Sequence, residues 1–184
     1  MKNRLFIVFS TCFFLAACGM GRSDRITAHD QTPLASGPLL VNSMIVGEIS
    51  GGSTYLLNYE GITDGQFKEG LEKSLAAKSL LASNPAQARY RIDAALDFNR
   101  HVSWSEGTKI DGSVTYTIHS IADNRQVFNQ TLQSDSSVGK NAAVIVLFDT
   151  PGQMSQDRMQ VYETVAANNL AAFMQTLDTW IPPR

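Results

Sequence analysis

The sequence predicts an α+β protein, a two-layer sandwich in which a mixed sheet of four strands, with a fifth left open, carries both helices on one face. Three observations lead there. Residues 90–98 and 110–118 alternate apolar and polar side chains, the period of half-exposed strands. Residues 67–75 and 159–180 repeat apolar side chains at helical spacing, so each would bury a single stripe. The elements run strand, helix, three strands, helix, and a sheet with one apolar face needs the cover that two amphipathic helices supply.

Leu39 to Ile49 (LLVNSMIVGEI) is rich in Val and Ile and closes on Ser50-Gly51-Gly52-Ser53. It reads as a central strand buried on both faces. Thr63 and Gln66 have the spacing of a capping box. Phe67, Leu71 and Leu75 then share one helical face, with Leu81 completing the stripe less neatly, while Lys68, Glu69, Glu72 and Lys73 point outward. Asn84-Pro85 stops that helix. Next, Tyr90, Ile92, Ala94, Leu96 and Phe98 face one way, and Arg89, Arg91, Asp93, Asp97 and Asn99 the other. After a loop around Ser105-Glu106-Gly107, Ile110, Val114, Tyr116 and Ile118 point inward and Asp111, Thr115, Thr117 and His119 outward. Asp123-Asn124 turns the chain into Arg125 to Gln133, the third antiparallel strand of a meander.

The helical crossover sets the first two strands side by side and parallel, with a right-handed connection. Ala142 to Phe148 (AAVIVLF) is either a fifth strand or an apolar loop for a partner or a membrane. Ser155 begins the last helix, whose stripe is Met159, Tyr162, Ala166, Asn169, Phe173, Leu177 and Trp180, and Pro182-Pro183 ends it.

At the other end of the chain, Lys2 and Arg4 precede an apolar run from Leu5 to Leu15, broken only by Ser10 and Thr11, and small residues follow at Ala16 and Ala17. That is the layout of a secretory signal peptide. The run is shorter than the roughly 20 residues a spanning helix needs. Leu15-Ala16-Ala17-Cys18 resembles the lipobox of bacterial lipoproteins. The resemblance implies that residues 1–17 are removed and that Cys18 takes a diacylglycerol on its sulfur and an acyl chain on its new amino terminus. Stable anchoring takes more than one chain. Gly19, rather than Asp, implies sorting to the outer membrane with the domain facing the periplasm. An ordinary cut near Ala17, leaving a free or paired thiol, is the alternative. Residues 18–38 then form the lipidated cysteine and a polar, Gly- and Pro-punctuated tether, and residues 39–181 a single domain.

Fifteen basic residues less Lys2 and Arg4 leave 13, against 17 acidic, in the mature chain. This mild acidity excludes the basic patch of a nucleic-acid binder. It also leaves membrane attachment to the acyl chains. Of two cysteines, Cys12 leaves with the signal and Cys18 takes the lipid, so neither a disulfide framework nor a thiolate metal site is expected.

Catalytic signals are thin. His29 lies in the tether, His101 ends a strand, and His119 sits on the polar sheet face without the spacing of a metal motif. Asp93 and Asp97 share a face but stand about 13 Å apart, too far for a glycosidase pair. GxSxG, GxxxxGK[ST] and GxGxxG are all missing from the sequence. A non-enzyme without cofactor or metal is the expectation.

Lipobox, tether and element order together resemble the LptE-like lipopolysaccharide-assembly lipoproteins. The sandwich is also similar to the N-terminal domain of the Tol-system propeller protein. The closing stretch, Tyr162-Glu163 through Asn168-Asn169-Leu170-Ala171-Ala172-Phe173, resembles the last helix of small uncharacterised lipoproteins. These resemblances imply an envelope accessory protein whose partner is an outer-membrane protein or lipopolysaccharide. Fold alone is an associational warrant for function. The expected contact is the polar sheet face (Arg91, Asp93, Asp97, Thr117, His119) or the apolar run (Val144, Ile145, Val146, Leu147, Phe148). The alternatives are a lipid or glycan held between helices and sheet, and, further off, a hydrolase built on a histidine.

Overall fold

The computed structural model describes residues 23–28, 40–53, 61–103, 107–138 and 156–183. Its elements are α1 (Ser23–Ile26), β1 (Met44–Ser50), α2 (Asp64–Ala77), β2 (Tyr90–Ser103), β3 (Gly107–Ser120), β4 (Gln126–Val138) and α3 (Gln156–Thr179). Cys18 and the whole of Ala142 to Phe148 lie outside the described residues.

The four strands lie in the order β1-β2-β3-β4. β1 and β2 are parallel, as a helical crossover requires, and the two following pairs are antiparallel. The alternation in β2 and β3 sorts as expected. Ile92, Ala94, Leu96, Ile110, Val114, Tyr116 and Ile118 are buried, and they join Phe67, Leu71 and Leu75 of α2 and Leu170, Phe173 and Leu177 of α3 in one core. Both helices therefore cover the same face. At the centre the Tyr116 ring stacks on Phe173, with centroids 3.8 Å apart and planes 3° from parallel. Phe67 and Phe128 pack against that pair.

α2 begins as the sequence indicates. The Thr63 hydroxyl accepts from the Gln66 N–H, and the Gln66 side chain accepts from the Thr63 N–H. It ends earlier than expected, at Ala77. Ser79 takes a left-handed conformation (φ 58°), and the Leu80 and Ser79 N–H groups donate to Leu75 and Ala76 carbonyls. This is a Schellman closure without the usual glycine, so no sequence signal marked it. Leu80 turns into the core, and Leu81 bridges Met44 at the head of β1 instead of extending the helix stripe.

Two other expectations change. β1 lies at an edge of the described sheet rather than at its centre, with Glu48 and Ser50 exposed. An apolar run cannot distinguish burial on two faces from a mixture of roles. Here Leu40 plugs the core ahead of the strand, Met44 is buried within it, and Val41 faces out. β4 continues past Gln133 to Val138. Polar side chains on its inner side hid that extension, because α3 meets β4 through hydrogen bonds. The Ser134 hydroxyl donates to the Val165 carbonyl (2.9 Å), and the Asn169 amide donates to the Leu132 carbonyl (2.9 Å).

Residues 23–28 lie inside the stretch read as a tether, yet they pack against the helix layer. Ile26 is fully buried, and Ala28 nearly so. Ile26 fits where α2 has Gly70, whose missing side chain leaves the slot that a Cβ would close to 3.2 Å.

Candidate functional site

The outer face of β2–β4 turns away from both helices, and its composition follows from period two. Register places Arg91 opposite His119, Asp93 opposite Thr117, and Asp97 opposite Ser113. It then sets Thr117 against Asn129 and Thr115 against Thr131. Cross-strand pairs of this kind are the unit that fixes side chains on a sheet surface.

Four of the expected contact residues come together at the β1 side. Asp93 receives the Arg91 guanidinium at 3.1 Å through both Nε and Nη2. Its other oxygen accepts the Glu48 backbone N–H at 2.8 Å. The His119 Nε2 stands 3.6 Å from the same carboxylate, with Thr117 beside it across the strand pair. Asp93 and His119 are both mostly covered, their side chains 23% and 22% exposed. His119 Nδ1 is buried without a hydrogen-bond partner among the described residues. Asp97 is not part of this group. It accepts from the Asn99 amide (3.1 Å) farther along β2.

Sequence reasoning missed two members of the cluster. β1 bulges between Val46 and Ile49, and the bulge presents the Glu48 N–H to Asp93. Gly47 makes room, since a Cβ there would overlap the Asp93 carboxylate and the Arg91 stem. A lone glycine inside a strand is the available signal for such a close approach.

The Thr115–Thr131 and Thr117–Asn129 rows near the middle of the face are uncharged and internally bonded. Thr115 and Thr131 hydroxyls share a hydrogen bond at 2.8 Å, and Asn129 donates to Thr117 at 3.0 Å. A second ionic group closes the far end. Lys109 meets Asp111 at 2.8 Å and Asp135 at 3.6 Å, and His101 meets Asp111 at 3.2 Å. The hydrogen bond that the Lys109 ammonium donates to Asp111, then the Asp111 charge, holds Lys109 above its ordinary pKa.

Asp93 has its oxygens committed to the Arg91 guanidinium and the Glu48 N–H, while hydroxyls and amides are held in fixed rows. Among the described residues, no group of three or more His, Cys, Asp and Glu side chains is placed to hold a metal ion. No described helix is long and apolar enough to cross a membrane.

No family model and no curated protein matches the chain. Among solved structures, the fold is similar to that of a minor lipoprotein from Acinetobacter baumannii, at TM-score 0.52 and 14% identity, over 79% of this chain and 97% of that one. A candidate lipoprotein from Caulobacter crescentus matches at TM-score 0.48 and 14% identity, over 87% and 97% of the two chains. A Xanthomonas campestris protein of the DUF330 family matches at 0.49 and 7% identity, over 74% and 85%. At 14% identity the likeness to the Acinetobacter lipoprotein is one of fold.

Proposed function

We propose that the chain is a non-catalytic lipoprotein of the bacterial cell envelope, anchored through acylated Cys18 in the outer membrane. In this reading it holds an outer-membrane assembly or transport partner against its polar sheet face. The observation that carries the reading is that face, a broad surface left free by both helices, with its hydroxyl and amide side chains pinned by cross-strand bonds. Pre-fixed polar groups lose little entropy on binding, which favours recognition of another surface. The lipobox at Leu15 to Cys18 supports the anchor, and the Acinetobacter lipoprotein shares the fold. A partner in lipopolysaccharide assembly follows from the LptE-like resemblance.

The alternative of a lipid or glycan held between the layers finds less support. Such ligands need a cavity of about 300 Å³ or more. Tyr116, Phe67, Phe173 and Leu71, all fully buried, occupy that space among the described residues.

The test is to cross-link cells briefly, solubilise the acylated protein in mild detergent and identify its companion by mass spectrometry. A stoichiometric outer-membrane protein is expected with the native chain. It should be lost when Thr115→Arg and Thr131→Arg are combined, with the circular dichroism unchanged. Recovery of the same companion with the double variant would remove the sheet face as the contact. Bound lipid in its place would turn the reading toward a carrier.

A further inference from the structure

Four stretches of chain, residues 40–43, 78–89, 121–125 and 178–183, meet at one end of the sandwich. Hydrogen bonds tie them. The Asn42 N–H donates to the Ser79 carbonyl (2.9 Å), the Arg89 N–H to Ser43 (2.8 Å) and the Ile121 N–H to Arg89 (2.8 Å). Met44, Tyr90 and Ser120 form one register row across β1, β2 and β3, and this end lies just beyond it. Trp180, at the close of α3, packs edge-on against Tyr90 and Phe128, with centroids 5.6 and 5.8 Å away.

Three large apolar side chains protrude here: Val41 (45% exposed), Ile121 (43%) and Ile181 (81%). Among the described residues no other large apolar side chain is exposed. A lone exposed aliphatic is ordinary, but these three share one end, while the helix layer and the polar sheet face expose none.

We propose that this end is a membrane-seating tip, at which Val41, Ile121 and Ile181 enter the headgroup layer of a phospholipid bilayer and the strands stand upright above it. The inference rests on the lipoprotein reading above and adds the surface by which the domain meets its membrane. Half-buried Trp180 and Tyr90 lie behind the aliphatics, and such amphipathic rings suit the boundary between hydrocarbon and water. The charges of the four stretches are Lys78, Arg89 and Arg125 against Asp123 and Asp178, a basic excess of one in a chain whose mature form is acidic. Anionic headgroups are therefore weakly attracted rather than repelled.

The lipid anchor can reach this end. Asp24 pairs with Lys73, and the Ala28 N–H donates to the Ser74 hydroxyl at 3.0 Å, close to where α2 finishes. From Ser74 to Ser79, which accepts from Asn42, the chain advances about 8 Å at about 1.5 Å per residue. Ser23 lies five residues after Cys18, so the acyl chains reach about 18 Å from the docked segment at about 3.6 Å per residue. Tip and anchor can thus engage one bilayer together. Reach alone would also let the helix layer lie flat on the lipid. Exposure decides for the tip, because the described helix layer has no large apolar side chain to insert. With the strands upright, the polar sheet face opens sideways, where a protein in the same bilayer would meet it.

The mature chain has no other thiol once Cys18 is acylated, so single cysteines can be labelled cleanly. The acylated protein is reconstituted in phosphatidylethanolamine–phosphatidylglycerol vesicles with a fluorophore at one of four exposed positions. These are Ala122→Cys beside Ile121, Asn168→Cys on α3, Thr131→Cys on the sheet face and Ser137→Cys near the far end of β4. The last stands about 36 Å along the strand from Gln126. Quenching is measured with a lipid that carries a nitroxide at the top of its acyl chain. Quenching at Ala122 is expected to be several-fold stronger than at the other three. Val41→Ser, Ile121→Ser and Ile181→Ser together should bring it down to the Asn168 level, with circular dichroism unchanged and the protein still floating by its acyl chains.

Equal quenching at the four positions, strongest quenching at Asn168, or an Ala122 signal untouched by the triple variant would overturn the tip and leave the lipoprotein reading in place. Self-quenching at Ala122 that rises with protein density, without quenching by lipid, would assign the end to a second copy and overturn the membrane contact. Absence of acyl mass on Cys18 and failure to float with the vesicles would remove the lipoprotein reading, and the tip with it.

Discussion

The Asn169 side chain offers the sharpest test of how this sandwich is held together. It is fully buried in α3 and spans both layers, accepting from the Tyr116 hydroxyl at 2.8 Å and donating to the Leu132 carbonyl at 2.9 Å and the Ser134 hydroxyl at 3.3 Å. Asn169→Leu keeps the volume close and adds apolar surface, but it strands the fully buried Tyr116 hydroxyl. A buried polar group left unmade costs about 1–3 kcal/mol. Taking about 2 for Tyr116 and about 1 for the partly covered Leu132 and Ser134 acceptors gives a loss of about 3 kcal/mol. For a domain of this size that is about 6–12 °C in Tm, at about 2–4 °C per kcal/mol. Tyr116→Phe alone should cost about 1–2 kcal/mol, because Asn169 keeps its other bonds.

The double variant carries the diagnosis. With both ends of the bond gone nothing is stranded at Tyr116, so the combined loss should fall short of the sum of the single losses by about 1 kcal/mol or more. Urea unfolding of the four proteins with a common m-value measures this. Single losses that add to within about 0.5 kcal/mol, or an Asn169→Leu loss under about 1, would refute the bond as the tie between α3 and the sheet.

Three further predictions rest on other parts of the fold. Burial pushes the Tyr116 hydroxyl well above the ordinary tyrosine value of 10.0, so in alkali the unfolded chain releases a proton that the folded one keeps. Stability is whole below that pH and declines above it, by up to about 1.4 kcal/mol per pH unit for this group. The deficit of Tyr116→Phe in urea should therefore shrink as pH rises past 10, and a constant deficit would place the hydroxyl in water. Gly112→Ala should cost about 1–3 kcal/mol by overpacking, since its Cβ would run into the Val165 methyl and the Phe98 ring; an unchanged thermal midpoint would show slack between α3 and β3. Thr63→Ala removes the hydroxyl that caps α2 and should lower stability by about 1 kcal/mol, read from the urea midpoint.

Much of the candidate site was legible because sheet period is strict. Side chains on a strand alternate, so Arg91, Asp93, Thr117 and His119 had to share a face once β2 and β3 paired in register, and antiparallel pairing of neighbouring runs is the short-range choice. Which of them touch was not legible. Asp93 is drawn to Arg91, His119 and the Glu48 N–H, while Asp97, equally polar and on the same face, is left to Asn99, because only Asp93 lies beside the bulge of β1.

By itself the sequence determined the class of fold, the parallel first pair, the single helix-covered face and the capped start of α2, since each follows from local spacing and the chemistry of one or two residues. Tertiary structure decided the rest. It set β1 at an edge, closed α2 at Ser79 through long-range burial of Leu80, and recruited Asn169 from an apolar stripe to bond across the layers. It also drew Ile26 out of a polar stretch into the groove over Gly70. One isoleucine among Gly, Ser, Asp and Arg has no period to announce it. Its place is fixed by the shape of a slot that exists only after α2 and α3 have packed.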